Sequence, residues 1–251
     1  MEPSTIRLHC VAELAAGRVV DLETDQVHRL RNVLRLGPGA AVALFNARDG
    51  EWFGHIEALA RQNGSVRLDS RRRPPDEEPG PWLLFAPVKR APIDLIVEKA
   101  TELGVACLQP VLTRRTIVAR VNLERLTAHA VEAAEQCERL TVPKVLAPTP
   151  LLPAIAALPA GFRLIVADET GAAAAMAGVL AAWQPPYPGI AVLVGPEGGF
   201  ASDELDALSN LPNVTRVGLG PRVLRADTAS LAALAVLQAL IGDWGRRRGH
   251  P

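Results

Sequence analysis

Hydrophobic and polar positions change their period once along the chain. Near the N-terminus Ile6, Leu8 and Cys10 alternate with Arg7 and His9, and Val66 and Leu68 alternate with Ser65, Arg67 and Asp69. A two-residue period is that of strands with one buried face. Between the runs 51–56 and 65–68 lies Gln62-Asn63-Gly64, and Asn-Gly accepts the positive φ of a tight hairpin turn. Val27, Leu30, Val33 and Leu34 share one face of a short helix predicted over 25–36. Together these predict a small, mostly β domain over residues 1–73. Residues 74–81 follow, rich in proline and charge, and are predicted to be an extended linker.

From Trp82 onward short apolar runs alternate with helical stretches, the pattern of a parallel α/β sheet, predicted over 82–251. The runs 83–88, 107–112, 163–167, 190–194 and 215–219 read as strands. Residues 92–103, 123–140 and 226–244 read as helices, and the alanine-biased stretches 151–159 and 171–182 as plain helices.

Composition narrows the class. The chain has 251 residues, 49% of them hydrophobic and 22% charged, which is ordinary for a globular protein and excludes disorder throughout. Apolar runs are broken well before the roughly 18 residues a membrane span needs. The N-terminus has no basic segment followed by an apolar core, so the expected location is the cytoplasm. Cys10, Cys107 and Cys137 form no CxxC pair, and the histidines repeat in no ligand spacing, so no metal site is expected. A formal net charge of zero neither demands nor excludes a nucleic-acid partner, because local patches steer binding and the total does not.

In an open parallel sheet ligands bind outside the carboxyl ends of strands, so the loops that leave strands carry the candidate chemistry. The run 190–194 enters Gly195-Pro196-Glu197-Gly198-Gly199-Phe200, whose glycines let backbone approach a ligand. The same residues also suit a plain turn before a helix capped by Ser202 and Asp203. The second loop, Leu219-Gly220-Pro221-Arg222-Val223-Leu224-Arg225-Ala226-Asp227-Thr228-Ala229, leads into the last helix, where Asp227 or Thr228 is a candidate cap. Arg222 and Arg225 stand beside an apolar helix entry, a costly place for two guanidiniums unless they meet a carboxylate, a phosphate or a ligand.

These two loops, with the runs His28–Arg35, Lys89, Glu98–Val105, Thr113–Thr116, Glu132–Arg139 and Val142-Pro143, resemble the ribosomal RNA small-subunit methyltransferase E family over nearly the whole chain. That family is of the SPOUT class. The resemblance implies an α/β fold, a parallel sheet with a C-terminal trefoil knot, preceded by a small PUA-like β-barrel domain. It further implies S-adenosylmethionine (SAM) as cofactor, methylation at N3 of a uridine in 16S ribosomal RNA with the assembled 30S subunit as substrate, and a homodimer. The cofactor would be held by Leu193, Val194, Gly195, Pro196, Glu197, Gly198, Gly199, Leu219, Gly220, Arg222, Val223, Leu224 and Thr228. Arg225 is the catalytic candidate, facing the uracil; Arg7, Arg35, Lys89, Arg90, Arg114 and Arg115 are the candidates for RNA phosphates. Asp227 stands where the family more often has glutamate, and Val223 where it more often has isoleucine. Two other readings stay open on sequence: another SPOUT RNA methyltransferase, acting on transfer RNA or a ribose hydroxyl, and a non-catalytic RNA-binding protein.

Overall fold

The computed structural model describes residues 6–88, 90–118, 120–184 and 189–245. The chain divides into two compact units, the first taking in Met1–Glu78 together with Ala134–Val142, the second Pro79–Ala133 and Pro143–Arg248.

In the first unit β1 (Ile6–His9), β2 (Val19–Asp21), β3 (Ala41–Asn46), β4 (Gly50–Leu59) and β5 (Gly64–Arg73) form one sheet in the order β1-β3-β4-β5-β2. β1 runs parallel to β3 and the other pairs are antiparallel. Register shifts between β4 and β5 at Glu51/Trp52, Phe53/Gly54 and Ile56/Ala58 add local twist to the two longest strands. The strand order has two ends, β1 and β2, so among the described residues the expected barrel is an open one. The β4–β5 hairpin forms where the sequence places it, but neither Asn63 nor Gly64 takes a positive φ. A Cβ on Gly64 would stand 2.9 Å from Leu59 Cδ1 and 3.1 Å from Val27 Cγ2, so a larger residue there would have to push these side chains aside.

Helix α1 (Thr24–His28) continues into a π turn over Arg29–Val33, in which the Leu34 N–H donates to the Arg29 carbonyl. Val27 and Leu30 enter the core with Leu8, Val42, Leu44, Ile56 and Val66. The wider turn rotates the next residues out of that face, so Val33 is 64% exposed and Leu34 is exposed beside it, contrary to the four-residue face read from sequence. Arg35 closes the turn at φ 55°, a left-handed conformation uncommon for a residue with a Cβ.

The segment Ala134–Val142, which begins in the last turn of the helix Leu123–Gln136, belongs to this unit, and Arg7 of β1 joins it to the sheet. The Arg7 Nε donates to Glu51 at 2.9 Å, and its two terminal nitrogens donate to the carbonyls of Ala134, Glu135 and Arg139 at 2.8–3.0 Å. Its guanidinium also lies 4.2 Å from the Phe45 ring centroid. Arg7 is 6% exposed, so it is withdrawn from the candidate phosphate contacts: its donors are taken up by Glu51 and by carbonyls at and just beyond the end of that helix. Glu135 accepts from Arg29 and from the His9 N–H, and Glu78 accepts from Arg139, Leu140 and Thr141. Burial works against the charge of Glu78, but four donors, the Thr141 hydroxyl and N–H, the Leu140 N–H and the Arg139 guanidinium, hold its carboxyl below the usual range.

The second unit runs β6 (Trp82–Phe85), α2 (Arg90–Glu102), β7 (Cys107–Leu112), α3 (Leu123–Gln136, less its last turn), β8 (Lys144–Val145), β9 (Thr149–Pro150) and α4 (Leu151–Ala156). β10 (Arg163–Ala167), α5 (Met176–Ala181), β11 (Ile190–Val194), α6 (Ser202–Ser209), β12 (Val214–Val217) and α7 (Ala226–Leu240) complete it. The sheet order is β12-β10-β11-β6-β7-β8, with β9 also on β7, and every pair is parallel. Every residue of β11 is buried, the pattern of a central strand covered on both faces. Leu84, Leu164, Val166, Ala191, Leu193 and Phe200 share one core cluster of this unit.

Register positions the site. Ala167 pairs with Val194 on one side and with Val217 on the other, so β10, β11 and β12 end level with one another. The loops that follow these strands therefore leave the sheet side by side. One of them was read from sequence as part of a plain helix over 171–182. Helix α5 starts only at Met176 because Gly171 turns at φ 79° and the chain beyond it is strapped to Gly218. The Gly218 N–H donates to the Ala174 carbonyl, and the Met176 N–H donates to the Gly218 carbonyl.

Candidate functional site

The three loops enclose a cavity of about 340 Å³, within the size range of small-molecule sites. The β10 loop contributes Ala167, Asp168, Glu169, Gly171, Ala173 and Ala175; the β11 loop Val194, Gly195, Pro196, Glu197 and Gly199. The β12 loop contributes Gly218, Leu219, Gly220, Pro221, Arg222, Val223 and Leu224, and α7 closes one side with Ala226 and Ala229.

Each loop is fixed by its own sequence. In the first, Asp168 is buried and accepts from the Thr170 N–H at 2.8 Å and from Arg216. Burial works against its charge, but the Thr170 N–H and hydroxyl and the Arg216 guanidinium hold its carboxyl below the usual range. In the second, the Gly199 N–H donates to the Pro196 carbonyl at 2.8 Å and Gly199 takes φ 68°. Phe200 folds back over Gly195, whose Cβ would stand 2.9 Å from its ring. Helix α6 is capped from within: Glu204 accepts the Ala201 N–H at 2.9 Å, so neither Ser202 nor Asp203 is the cap expected from sequence. In the third, the chain enters α7 through Arg225, whose side chain makes no cap bond, and Asp227 accepts the Thr228 N–H at 2.6 Å.

Of the residues the sequence offered for a cofactor, Val194, Gly195, Pro196, Glu197, Gly199, Leu219, Gly220, Arg222, Val223 and Leu224 line the cavity. Leu193, Gly198 and Thr228 lie outside its lining. Leu193 is fully buried inside β11, between Leu84 and Val166 of the flanking strands. Gly198 faces Arg115, where a Cβ would meet side-chain carbons at an ordinary 3.5 Å. Thr228 sits exposed in the first turn of α7.

Sequence reasoning passed over the β10 loop. The rule that ligand loops leave strand carboxyl ends applied to Asp168–Gly171 as well, but the alanines after it were read as helix.

The arginines separate by environment. Arg222 lines the cavity and Arg225 is exposed at the head of α7; neither side chain has an ion-pair or hydrogen-bond partner among the described residues. Arg115 donates to the Gly198 carbonyl at 2.7 Å, and Arg114 pairs with Asp203 at 2.7 Å while its N–H donates to Glu204. Arg115 therefore braces the β11 loop and Arg114 the first turn of α6, and both remain exposed. Lys89 and the side chain of Arg90 lie outside the described residues.

The family described as "RNA methyltransferase domain" matches residues 77–238, and the one described as "RNA methyltransferase PUA domain" matches residues 22–69. The ribosomal RNA small subunit methyltransferase E of Rickettsia conorii is 32% identical over 93% of this chain and 95% of its own length. The chain belongs to the ribosomal RNA small subunit methyltransferase E family. The family member from Synechocystis is also 32% identical, over 94% of this chain and 78% of its own. Among solved structures, the family member from Neisseria gonorrhoeae, bound to S-adenosyl methionine, superposes with a TM-score of 0.84 at 30% identity, covering 96% of this chain and 99% of that one. A putative methyltransferase from Legionella pneumophila, in complex with bound cofactor SAM, superposes at 0.82 with 29% identity, covering 94% and 98%. The PUA model falls within the first unit, and the methyltransferase model covers most of the second together with residues 134–142 of the first.

Proposed function

We propose that this chain is a SAM-dependent methyltransferase of small-subunit ribosomal RNA, acting at N3 of a uridine in the 30S subunit. The observation that carries the reading is the cavity formed by three glycine-bearing loops at the level carboxyl ends of β10, β11 and β12. Its charge inventory fits the cofactor. Glu169 and Glu197 line it with no partner among the described residues, and so does Arg222. SAM carries two cationic groups, the sulfonium and the ammonium, and one carboxylate, so the lining offers the opposite charge to each. When bound, SAM supplies a methyl group on a sulfonium that is already a good leaving group.

The residues of the chain do the rest. Backbone groups of Val194–Gly199 and Leu219–Leu224 would hold the uncharged part of the cofactor, leaving its charged groups to the side chains just named. Arg225, exposed at the entry to α7, would face the uracil. Uridine N3 is nucleophilic only once its proton has left, and the resulting charge spreads onto two carbonyl oxygens. A guanidinium donates in a planar fork that suits those oxygens and lowers the cost of the anion. Arg35, Arg114 and Arg115 are retained as phosphate contacts, with Lys89 and Arg90 proposed on sequence alone. The knotted SPOUT threading and a cytoplasmic location belong to the same proposal.

Incubating the protein with labelled SAM and small ribosomal subunits lacking their own modification, then identifying the methylated nucleoside, tests the function. N3-methyluridine is the expected product; a ribose-methylated nucleoside, or no transfer, would refute it.

The homodimer is also proposed. Helix α7 has no charge after Asp227, and its outward side offers half-buried Leu231, Ala232, Ala235 and Val236, with Leu240 46% exposed at its end. An apolar stripe of that kind suits a second copy of the same helix. Sedimentation at micromolar concentration should give twice the chain mass; a monomer alone would count against it.

A further inference from the structure

We propose that Glu169 holds the positively charged methionyl end of the cofactor, an assignment that rests on the SAM reading above. Glu169 follows Asp168 in the loop after β10, and the two adjacent carboxylates have opposite fates. Asp168 is buried and spent on Arg216 and Thr170, whereas Glu169 is exposed in the cavity and no group among the described residues donates to it. The facing loop leaves room for it. A Cβ on Gly199 would stand 1.8 Å from Glu169 Oε1 and 2.8 Å from its Cδ, so the carboxyl group rests where a side chain at 199 would be. Gly199 is held to glycine by its φ of 68°, and the space its missing Cβ leaves is where the Glu169 carboxyl lies.

The loop behind Glu169 is strapped to Gly218 at Ala174 and Met176, so the carboxylate is presented from a braced backbone. Glu197, by contrast, sits in the turn closed by the Gly199 N–H on the Pro196 carbonyl. Hydrogen bonds from a cationic donor to a carboxylate are among the stronger ones.

The test compares two ligands by calorimetry: SAM, and 5′-methylthioadenosine, which keeps the adenosine but has neither the amino-acid part nor the sulfonium. With Glu169→Gln, affinity for SAM should fall by roughly tenfold to a hundredfold, while methylthioadenosine binding stays within about twofold. Retained methylthioadenosine binding also reports an intact fold. Glu169→Asp, which keeps the charge but draws it back by one methylene, should recover part of the loss. Unchanged SAM affinity in Glu169→Gln, or an equal loss for both ligands, would overturn the assignment and leave the cofactor reading standing. Wild-type protein that binds methylthioadenosine but not SAM, or neither, would overturn both.

Discussion

Replacing Arg225 with alanine is expected to slow single-turnover methylation by about 10²–10³-fold at saturating RNA, the usual cost of removing one donor from a developing anion. SAM affinity should barely change, because Arg225 is outside the cavity lining while its neighbours Leu224 and Ala226 are part of it. Arg225→Lys keeps the charge but loses the planar fork, and should recover only a minor share of the rate. Arg222 provides the contrast. It lines the cavity, so Arg222→Ala should weaken cofactor binding before it affects the chemical step. Near-normal single-turnover rates for both Arg225 variants would remove the residue from catalysis. A matched loss of SAM affinity and rate would make it a cofactor contact instead.

How far the site was legible in sequence depends on how local its causes are. The apolar runs of β10 and β11 were read to the residue because a strand buried on both faces has nowhere to hide a polar position. The β11 and β12 loops stood out by their glycines, and most of the residues named there do line the cavity. The β10 loop was lost because its extended course depends on hydrogen bonds between Ala174, Met176 and Gly218, more than forty residues apart in sequence, while alanine by itself favours helix. Leu193 adjoins the glycines in sequence, but register makes it a sheet residue enclosed between two neighbours. In the first unit the alternation of β1 was read correctly as strand, yet it pointed Arg7 at solvent. Period two distinguishes the faces of a strand but does not reveal that a segment some 130 residues later covers the outer one.

That covering segment sets the second large effect. Arg7→Ala should destabilise the protein by about 3–5 kcal/mol, because it leaves Glu51, 1% exposed, without one of its cationic partners and leaves three carbonyls of Ala134, Glu135 and Arg139 without that donor. Arg72 lies 3.0 Å from the other Glu51 oxygen, which softens the loss without replacing the carbonyl contacts. Lysine at position 7 keeps the charge on a single nitrogen that cannot reach Glu51 and three carbonyls together, so it should rescue little. Pairing Arg7→Met with Glu51→Met should cost less than Arg7→Met alone, since the buried carboxylate that has lost its best-buried partner is then removed as well. Chemical denaturation measures all four variants. RNA binding supplies the opposing test, because losing a true phosphate contact lowers the salt slope of affinity by about one, as expected for Arg35→Ala. Below its unfolding transition Arg7→Ala should keep the wild-type slope. An unchanged unfolding midpoint together with a lowered slope would return Arg7 to the RNA surface and break the account of how residues 134–142 are held against the sheet.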